Sequence, residues 1–319
     1  MTSKKLSDAN KATKAVIICG ATGSGKSELG MKLAAELNGE IISADSRQIY
    51  RKLDIGTAKP SVEDRQKIRH HLIDIVDVTI DFTAKMFADE ALKAINSVSQ
   101  AGKMPIIIGG AGLYLEALVS GLFESPEKDE DFRKQMEDRI SREGLPILFQ
   151  ELVKIDPQLE DMINPNDSFR IIRALEIHHL TGKTISWLRR HGDYQKNEIE
   201  YIWLGLDYPR DVLYDRINKR VDRMIISGLI DEVNLLLEQG LGFMLKRKRI
   251  VGYYEIVESL EGNLTIEEGI NLVKQHSRNY AKRQLTWFRH KAPVIWLNPS
   301  ELGYYDKVLL TLDEYFKKA

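Results

Sequence analysis

The sequence predicts an α/β fold: a P-loop NTPase-like parallel sheet flanked by helices, with an inserted, mostly helical domain. Two observations predict the core. A glycine-rich loop, GATGSGKS at residues 20–27, stands between a strand-like and a helix-like segment. Short apolar runs alternate with helical patterns, which is typical of a parallel sheet wound with helices. A change of character after residue 124, from β-rich runs to helical patterns, predicts the insertion.

The core elements follow from apolar spacing. Leu29, Leu33 and Leu37 recur at helical intervals, so we expect a helix over 28–37 that ends at Asn38-Gly39. Two longer helices are predicted later in the chain, over 212–239 and 266–290. The predicted strands are 15–19, 40–44, 106–108, 201–206 and 292–297.

The predicted organisation has three parts. Residues 1–14 are polar and lysine-rich and are predicted to be a disordered tail. Residues 15–124 and 201–319 form the P-loop core, and residues 125–200 form the helical insertion domain. The helices predicted within the insertion are 132–142, 146–154 and 169–180.

Composition excludes several classes of protein. The 319 residues are 43% hydrophobic and 29% charged, with a net charge of −1, so net charge gives no pointer to nucleic acid. Cys19 is the single cysteine, which excludes an intrachain disulfide and a thiolate metal cluster and fits a reducing compartment. No apolar run approaches the length of a membrane span. We expect a cytoplasmic monomer with no membrane partner.

The glycine-rich loop fits the pattern G-x-x-x-x-G-K-[ST] completely. Glycines let backbone N–H groups turn toward phosphate oxygens, Lys26 adds a positive charge, and the Ser27 hydroxyl can bind Mg²⁺. The pattern does not say which phosphate compound is bound. The residues predicted to bind the diphosphate or nucleotide are Gly20, Ala21, Thr22, Gly23, Ser24, Gly25, Lys26 and Ser27.

A carboxylate is expected near the loop. The predicted strand at 106–108 runs into Gly109-Gly110, with no acid. Asp45 follows the strand at 40–44, which we expect to lie beside the P-loop strand, so Asp45 is expected to face the same crevice. It could bind Mg²⁺ or act as a general base. An ordinary helix-capping aspartate is the alternative.

Two other features are weaker signals. His70 and His71 are adjacent, so their side chains point to opposite sides of a strand, and a structural role is favoured over a metal site. Three basic patches indicate a polyanion, RNA or DNA, although a solvated helix face explains any one of them alone. These patches are Arg216 with Arg220 and Arg223, Lys274 with Arg278 and Lys282, and the run 246–249.

Taken together, nine segments in order resemble the tRNA dimethylallyltransferase family over nearly the whole chain. The combination is highly specific, whereas the P-loop alone is not. The segments are GATGSGKS (20–27), DSRQIY (45–50), IGTAKP (55–60), HHLID (70–74), IGGAGLYLEAL (108–118), NPNDSFRIIRALEIHHLTGKTIS (164–186), RVDRMIISGLIDEV (220–233), VGYYEI (251–256) and AKRQLTWFR (281–289).

The resemblance implies an activity. Such an enzyme transfers a dimethylallyl group from dimethylallyl diphosphate to N6 of adenine 37, just 3′ of the anticodon, in tRNAs that read codons beginning with U. It implies Mg²⁺, release of diphosphate, and an insertion that grips the anticodon arm. The absence of an acid after residue 108 then makes sense, because no nucleotide need be hydrolysed.

The resemblance also implies residue roles. Asp45 would accept the proton from the adenine amine, Thr22 would lie close to the reacting centre, and Arg220 would help to hold the diphosphate. The late-helix arginines would meet the phosphodiester backbone. The residues implied to bind tRNA are Asp45, Ser46, Arg47, Gln48, Ala111, Arg170 and Arg173.

This chain departs from the family pattern at a few positions. Ala21 and Gly23 replace the usual proline and alanine of the P-loop, and Ala111 stands where threonine is common. Three alternatives remain. An adenylate isopentenyltransferase acting on free AMP or ATP would need neither the insertion nor the basic patches. A P-loop small-molecule kinase would use Asp45 as its base. A non-enzymatic RNA-binding module would leave the P-loop without a purpose.

Overall fold

A computed structural model describes residues 13–123, 126–192, 194 and 197–317. The first strand begins at Lys14, so the predicted tail extended too far by that residue. Residues 1–12 of the predicted tail lie outside the described part of the chain. None of the helices in the described part combines the length and apolarity that a membrane crossing requires.

The described residues form one sheet of six strands, all parallel, in the order β3-β2-β4-β1-β5-β6. The central strand is buried along nearly its whole length, and Ile17 pairs with Ile107 on one side and Trp203 on the other. The parallel sheet predicted from the sequence is therefore confirmed. The strands are β1 (Lys14–Gly20), β2 (Gly39–Ala44), β3 (His70–His71), β4 (Met104–Gly109), β5 (Glu200–Leu206) and β6 (Ile295–Leu297).

The strand order corrects one prediction. β4, not β2, lies beside the P-loop strand β1, so Asp45 follows a strand that is one place further away. Because all strands run the same way, their carboxyl ends still meet at one edge. Gly109 closes β4 at that edge, where a Cβ atom would lie 2.0 Å from the carbonyl oxygen of Ala44. Glycine at this position therefore allows β2 and β4 to approach closely.

Helices cover the sheet and build the rest of the molecule. In chain order they are α1 (Lys26–Glu36), α2 (Val62–Lys67), α3 (Ala84–Gln100), α4 (Gly112–Ser120), α5 (Glu130–Glu143), α6 (Leu145–Ile155), α7 (Ser168–Thr181), α8 (Ile185–His191), α9 (Arg210–Ile226), α10 (Leu229–Glu238), α11 (Gly242–Arg247), α12 (Tyr254–Leu260), α13 (Ile266–Lys291) and α14 (Tyr304–Lys317), with a 3₁₀ turn at Pro157–Leu159.

The two long helices predicted in the second half have different outcomes. The predicted helix at 266–290 is confirmed as α13, which begins with a capping box between Thr265 and Glu268. The single helix predicted over 212–239 is wrong, because the chain breaks between α9 and α10. Gly228 adopts a φ of +96° at the break, a conformation that costs glycine little.

Alternate residues of β1 point to opposite faces of the sheet, and both faces are covered. Ile17 packs on the face with Phe87, Ile95 and Phe288. Ile18 packs on the other face with α1 and α14. Burial on both sides explains why the strands read as continuous apolar runs.

The chain divides into two compact units. The described residues within Met1–Val119 and Glu198–Ala319 form the first, and those within Ser120–Asn197 form the second. The boundaries predicted for the insertion, 125–200, lie within about five residues of those of the second unit. The second unit is helical and has its own apolar core, which includes Leu148, Leu152 and Ile171.

Candidate functional site

The P-loop lies at the carboxyl end of β1 and leads into α1. Gly20, Gly23 and Gly25 have φ values of +135°, +79° and +88°. L-residues with a Cβ rarely adopt such values, so glycine suits the backbone of the turn at these three positions. The Gly25 conformation serves as the N-cap of α1. The loop therefore presents a helix N-terminus toward any anion bound there.

Lys26 is held inside the loop. Its Nζ donates a hydrogen bond to the carbonyl oxygen of Ala21 at 2.6 Å. Burial and the nearby positive charge of Arg220 lower the pKa of Lys26 to about 8, although Asp45 opposes the shift. A bound anion would therefore stabilise the protonated form of the Lys26 amine.

Two arginines of α9 face this loop. Arg216 Nε donates to the carbonyl oxygen of Gly23 at 2.9 Å, and its guanidinium lies 4.7 Å from the ring centre of Tyr208. Arg220 lines the cavity beside the loop; burial lowers its pKa, while Asp45 favours its charged form. Arg216 was expected to contact an RNA backbone with the other late-helix arginines. The structure instead engages it with the P-loop.

Asp45 caps a turn and also lines the cavity beside the P-loop, and its expected role as a base or Mg²⁺ ligand stays a prediction. Its Oδ1 accepts hydrogen bonds from the backbone N–H groups of Arg47 at 2.8 Å and Gln48 at 3.3 Å, so the carboxylate does cap the turn that follows β2. The carboxylate also lines the cavity with Lys26 and Arg220. Among the described residues, no hydrogen bond reaches its Oδ2. Oδ2 is therefore available to a ligand bound in this cavity.

Two cavities meet at the P-loop. The first, of about 80 Å³, is lined by loop residues and by the ends of β2 and β4. The second, of about 190 Å³, has an apolar wall that includes Ile217, Val221 and Met224. The residues that line both cavities are Thr22, Asp45, Arg220 and Tyr280.

Sequence reasoning missed Gln284 and Tyr280, one turn apart on α13. Gln284 is 7% exposed and hydrogen bonds to both Thr22 and Gly110. Burial raises the pKa of Tyr280 to about 12. A signal was present, since Gln284 is a polar residue on a stripe that also buries Ala281 and Phe288.

The segment after Asp45 is largely occupied by internal contacts. The Gln48 amide accepts from Ser43 Oγ and donates to the carbonyl oxygens of Thr57 and Ala58. Arg47 reaches the Lys248 carbonyl oxygen at 3.4 Å. Gln48 thus holds the 57–58 loop, and the tRNA contacts expected of residues 46–48 stay predictions.

Ala111 begins the turn into α4. Its backbone N–H donates to the carbonyl oxygen of Ala44 at 3.3 Å, and its side chain packs against the core. The role in tRNA binding expected of this position stays a prediction.

The paired histidines have structural partners. His71 Nε2 lies 2.7 Å from Glu40, and His70 Nδ1 lies 2.7 Å from the Ile68 carbonyl oxygen. Both histidines have local partners, as a structural role requires, but His70 also lines the cavity beside the P-loop, so that role stays a prediction. In the part of the chain that the structure describes, no group of three or more acidic, histidine or cysteine side chains could hold a metal ion.

Much of the basic charge noted in the sequence is paired internally. Lys248 bonds to Asp81 at 2.7 Å and Lys246 to Glu261 at 2.6 Å. Lys274 bonds to Asp222 at 2.6 Å. A polyanion would therefore compete with existing carboxylate partners at these positions.

In the second unit, the two arginines predicted to bind tRNA differ. The Arg170 side chain is 66% exposed and lies 3.3 Å from Asp167. Arg173 instead pairs with the buried carboxylate of Glu176 and donates to the Pro126 carbonyl oxygen at 2.8 Å. Arg173 therefore has a structural role in its unit, and its contact with tRNA stays a prediction.

Comparison with known families decides the relationship. The family model described as IPP transferase matches residues 48–291. The chain belongs to this family. The tRNA dimethylallyltransferase of Geobacter metallireducens is 42% identical to this chain, over 95% of the chain and 98% of the relative. That of Halalkalibacterium halodurans is 42% identical over 93% and 94%. The identification made from nine sequence segments is confirmed.

Solved structures agree with the family. The full-length tRNA isopentenylpyrophosphate transferase of Bacillus halodurans is 40% identical, with a TM-score of 0.67, over 97% of this chain and 96% of that one. A eukaryotic dimethylallyltransferase, seen in crystallographic snapshots acting on tRNA, is 29% identical, with a TM-score of 0.73, over 92% and 76%. The predicted fold is therefore shared with tRNA-modifying prenyl transferases.

Proposed function

We propose that this protein transfers the dimethylallyl group of dimethylallyl diphosphate to N6 of adenine 37 in tRNAs that read codons beginning with U. One observation carries the proposal: the cavity at the P-loop and a cavity with an apolar wall share Thr22, Asp45 and Arg220. A donor with a charged end and an apolar end needs this combination. The names of the relatives and of the eukaryotic neighbour support tRNA as the acceptor.

The P-loop would hold the diphosphate. Positive φ at Gly23 and Gly25 turns the backbone around the anion, and the N-terminus of α1 adds its dipole. Lys26 and Arg220 supply positive charge where the leaving diphosphate gains negative charge. Stabilising that charge in a buried site is the main contribution that the protein makes to the rate.

The apolar wall would receive the five-carbon chain. Ile217, Val221 and Met224 come from successive turns of α9, the helix that also supplies Arg220. One helix therefore lines both cavities. Apolar contact excludes water from the allylic carbon, which protects it from hydrolysis.

Asp45 would serve as the base. The adenine N6 nitrogen forms a bond to the allylic carbon, the bond between that carbon and the diphosphate oxygen breaks, and a proton leaves the amine for Asp45 Oδ2. Because the other oxygen, Oδ1, is held by two backbone N–H groups, the carboxylate has a fixed orientation. An exocyclic amine is a weak nucleophile, so this positioning matters more than basicity.

The donor set suits Mg²⁺ only together with the substrate. Ser27 and Asp45 line the same cavity and offer a hydroxyl and a carboxylate. Mg²⁺ commonly takes few protein ligands and the rest from phosphates and water. Bound there, the ion would neutralise part of the diphosphate charge.

The acceptor would be an adenine extruded from the anticodon loop, because a stacked base cannot enter such a cavity. We propose that the second unit, Ser120–Asn197, grips the anticodon arm. Exposed Arg170 is its best candidate for a phosphate contact. We further propose that the protein acts as a monomer in the cytoplasm.

The test is incubation with radiolabelled dimethylallyl diphosphate and a choice of acceptors: unmodified tRNA, AMP and ATP. We expect label in tRNA and none in the free nucleotides. Label in AMP with none in tRNA would instead identify an adenylate isopentenyltransferase. A phosphorylated product formed from ATP, without prenyl transfer, would identify a kinase.

A further inference from the structure

Gln284 joins the two loops that end the central strands. Its Oε1 accepts a hydrogen bond from the backbone N–H of Thr22 at 2.8 Å, and its Nε2 donates one to the carbonyl oxygen of Gly110 at 3.0 Å. Thr22 belongs to the loop after β1, and Gly110 follows β4. Since β1 and β4 pair directly, a single side chain of α13 spans both loops.

The amide fills its site completely. Gln284 is 7% exposed, and a Cβ atom at Gly110 would lie 2.0 Å from Gln284 Nε2. A side chain at position 110 would push this amide out of its present place. The absence of a side chain at Gly110 therefore leaves the space that the Gln284 amide occupies beside the P-loop.

The bond to Thr22 changes how the P-loop can be used. In a P-loop, backbone N–H groups point toward the phosphates. The N–H of Thr22 is already committed to Gln284, so the phosphate cradle starts after Thr22. Thr22 is thereby fixed as a wall residue that lines both cavities.

We propose that Gln284 is a positioning residue for prenyl transfer. It fixes Thr22 through the backbone, at the point where the diphosphate cavity meets the cavity with the apolar wall, and it acts on the reaction through Thr22. This inference rests on the proposed function of the same site. A carboxylate at 284 would keep the bond from Thr22 N–H but would oppose the Gly110 carbonyl oxygen with a second acceptor. A methionine would keep the volume and lose both bonds.

The test is a double-mutant cycle between positions 22 and 284. The variants are Gln284→Met, Gln284→Glu, Thr22→Val and the double variant Thr22→Val/Gln284→Met. Transfer from dimethylallyl diphosphate to saturating tRNA gives kcat, and KM is measured for each substrate. Thermal unfolding of each variant gives its stability.

Gln284→Met is expected to lower kcat by on the order of 100-fold, as small misplacements at reacting centres do, with KM for tRNA within about twofold. Gln284→Glu should recover part of that loss. The double variant should be no slower than Thr22→Val, because the effect passes through Thr22. Should Gln284→Met not fold, Gln284→Glu completes the same cycle.

Additive losses in kcat, or a change confined to KM, would overturn the inference. So would a kcat loss that simply follows the melting temperature. Failure of the proposed function looks different: wild-type protein would then leave tRNA unlabelled. If it labels AMP instead, the same cycle is measured with AMP and still decides the role of Gln284.

Discussion

Lys26 Nζ donates a 2.6 Å hydrogen bond to the carbonyl oxygen of Ala21, five residues earlier in the same loop. The amine is thus held by a neutral acceptor at a point where the loop can receive an anion. A diphosphate would give it a charged partner in place of a carbonyl oxygen. In a buried site the attraction between the ammonium and a full negative charge exceeds its attraction for a carbonyl dipole, so the exchange favours binding.

The lowered pKa of Lys26 predicts a pH dependence. Because the pKa is about 8, Lys26 loses its proton as pH rises through 8, and the attraction for diphosphate is lost with it. We expect kcat/KM for the donor to fall above pH 8, approaching tenfold for each pH unit. Steady-state kinetics between pH 6.5 and 9.5 measure it.

The matched control is Lys26→Arg, whose guanidinium stays protonated throughout this range. Its activity is expected to be lower, but without the fall above pH 8. A fall that persists unchanged in Lys26→Arg would assign the titration to another group.

Replacing Asp45 should separate chemistry from binding. In Asp45→Asn the amide oxygen still accepts from the N–H groups of Arg47 and Gln48, so the turn survives. The base is lost, and we expect kcat to fall by roughly 10²- to 10⁴-fold. Binding of tRNA, measured by filter retention, should stay within about twofold. Wild-type turnover in this variant would remove Asp45 as the base.

Two arginines on α9 form a natural pair for comparison. Arg216 contacts the Gly23 carbonyl oxygen, whereas Arg223 is exposed and donates to the Lys219 carbonyl oxygen within its own helix. We expect Arg216→Ala to raise KM for the donor by about tenfold and to leave the salt dependence of tRNA binding unchanged. Arg223→Ala should leave KM for the donor unchanged and lower the salt dependence of tRNA binding. Identical effects of the two variants on tRNA binding would contradict the assignment.

The second unit depends on a buried carboxylate. The Glu176 side chain has no exposure and accepts from Arg133, Arg173 and the backbone N–H of Asp129. Burial opposes ionisation, yet these bonds hold the pKa of Glu176 at about 2. Stability from this group is present above pH 4.5 and is lost as pH falls toward 2.

Glu176→Gln is therefore expected to destabilise the second unit by about 3 kcal/mol at pH 7. Amide hydrogen exchange along α7 measures the change. Glu143→Gln is the control, because its pair with Arg139 is exposed and contributes little to stability. Equal protection in the two variants would refute a structural role for Glu176.

Local features were predictable from the sequence, and non-local ones were not. The P-loop follows from eight adjacent residues, and the buried strands from short apolar runs. The position of β4 between β1 and β2 depends on how strands far apart in the chain pair, so Asp45 was given the wrong neighbouring strand. It still reaches the site because Gly109 lets β2 and β4 approach closely.

The partners of individual side chains were also not predictable from the sequence. Arg216, Arg220 and Arg223 look alike as a helical stripe, yet the first two face the P-loop site and the third is exposed. The role of Gln284 was not predicted, because a glutamine on a long helix usually faces water. The break at Gly228 could have been predicted, since glycine inside a helical pattern commonly marks the end of a helix.

We propose that a prenyl group and a tRNA adenine are joined where the two cavities meet at Asp45. The most direct measurement is nucleoside analysis of tRNA after incubation with labelled dimethylallyl diphosphate, followed by mapping of the labelled fragment. We expect all label to be in N6-dimethylallyladenosine from position 37, and we expect Asp45→Asn to abolish the labelling. Label on another nucleoside, or unchanged labelling by Asp45→Asn, would contradict it.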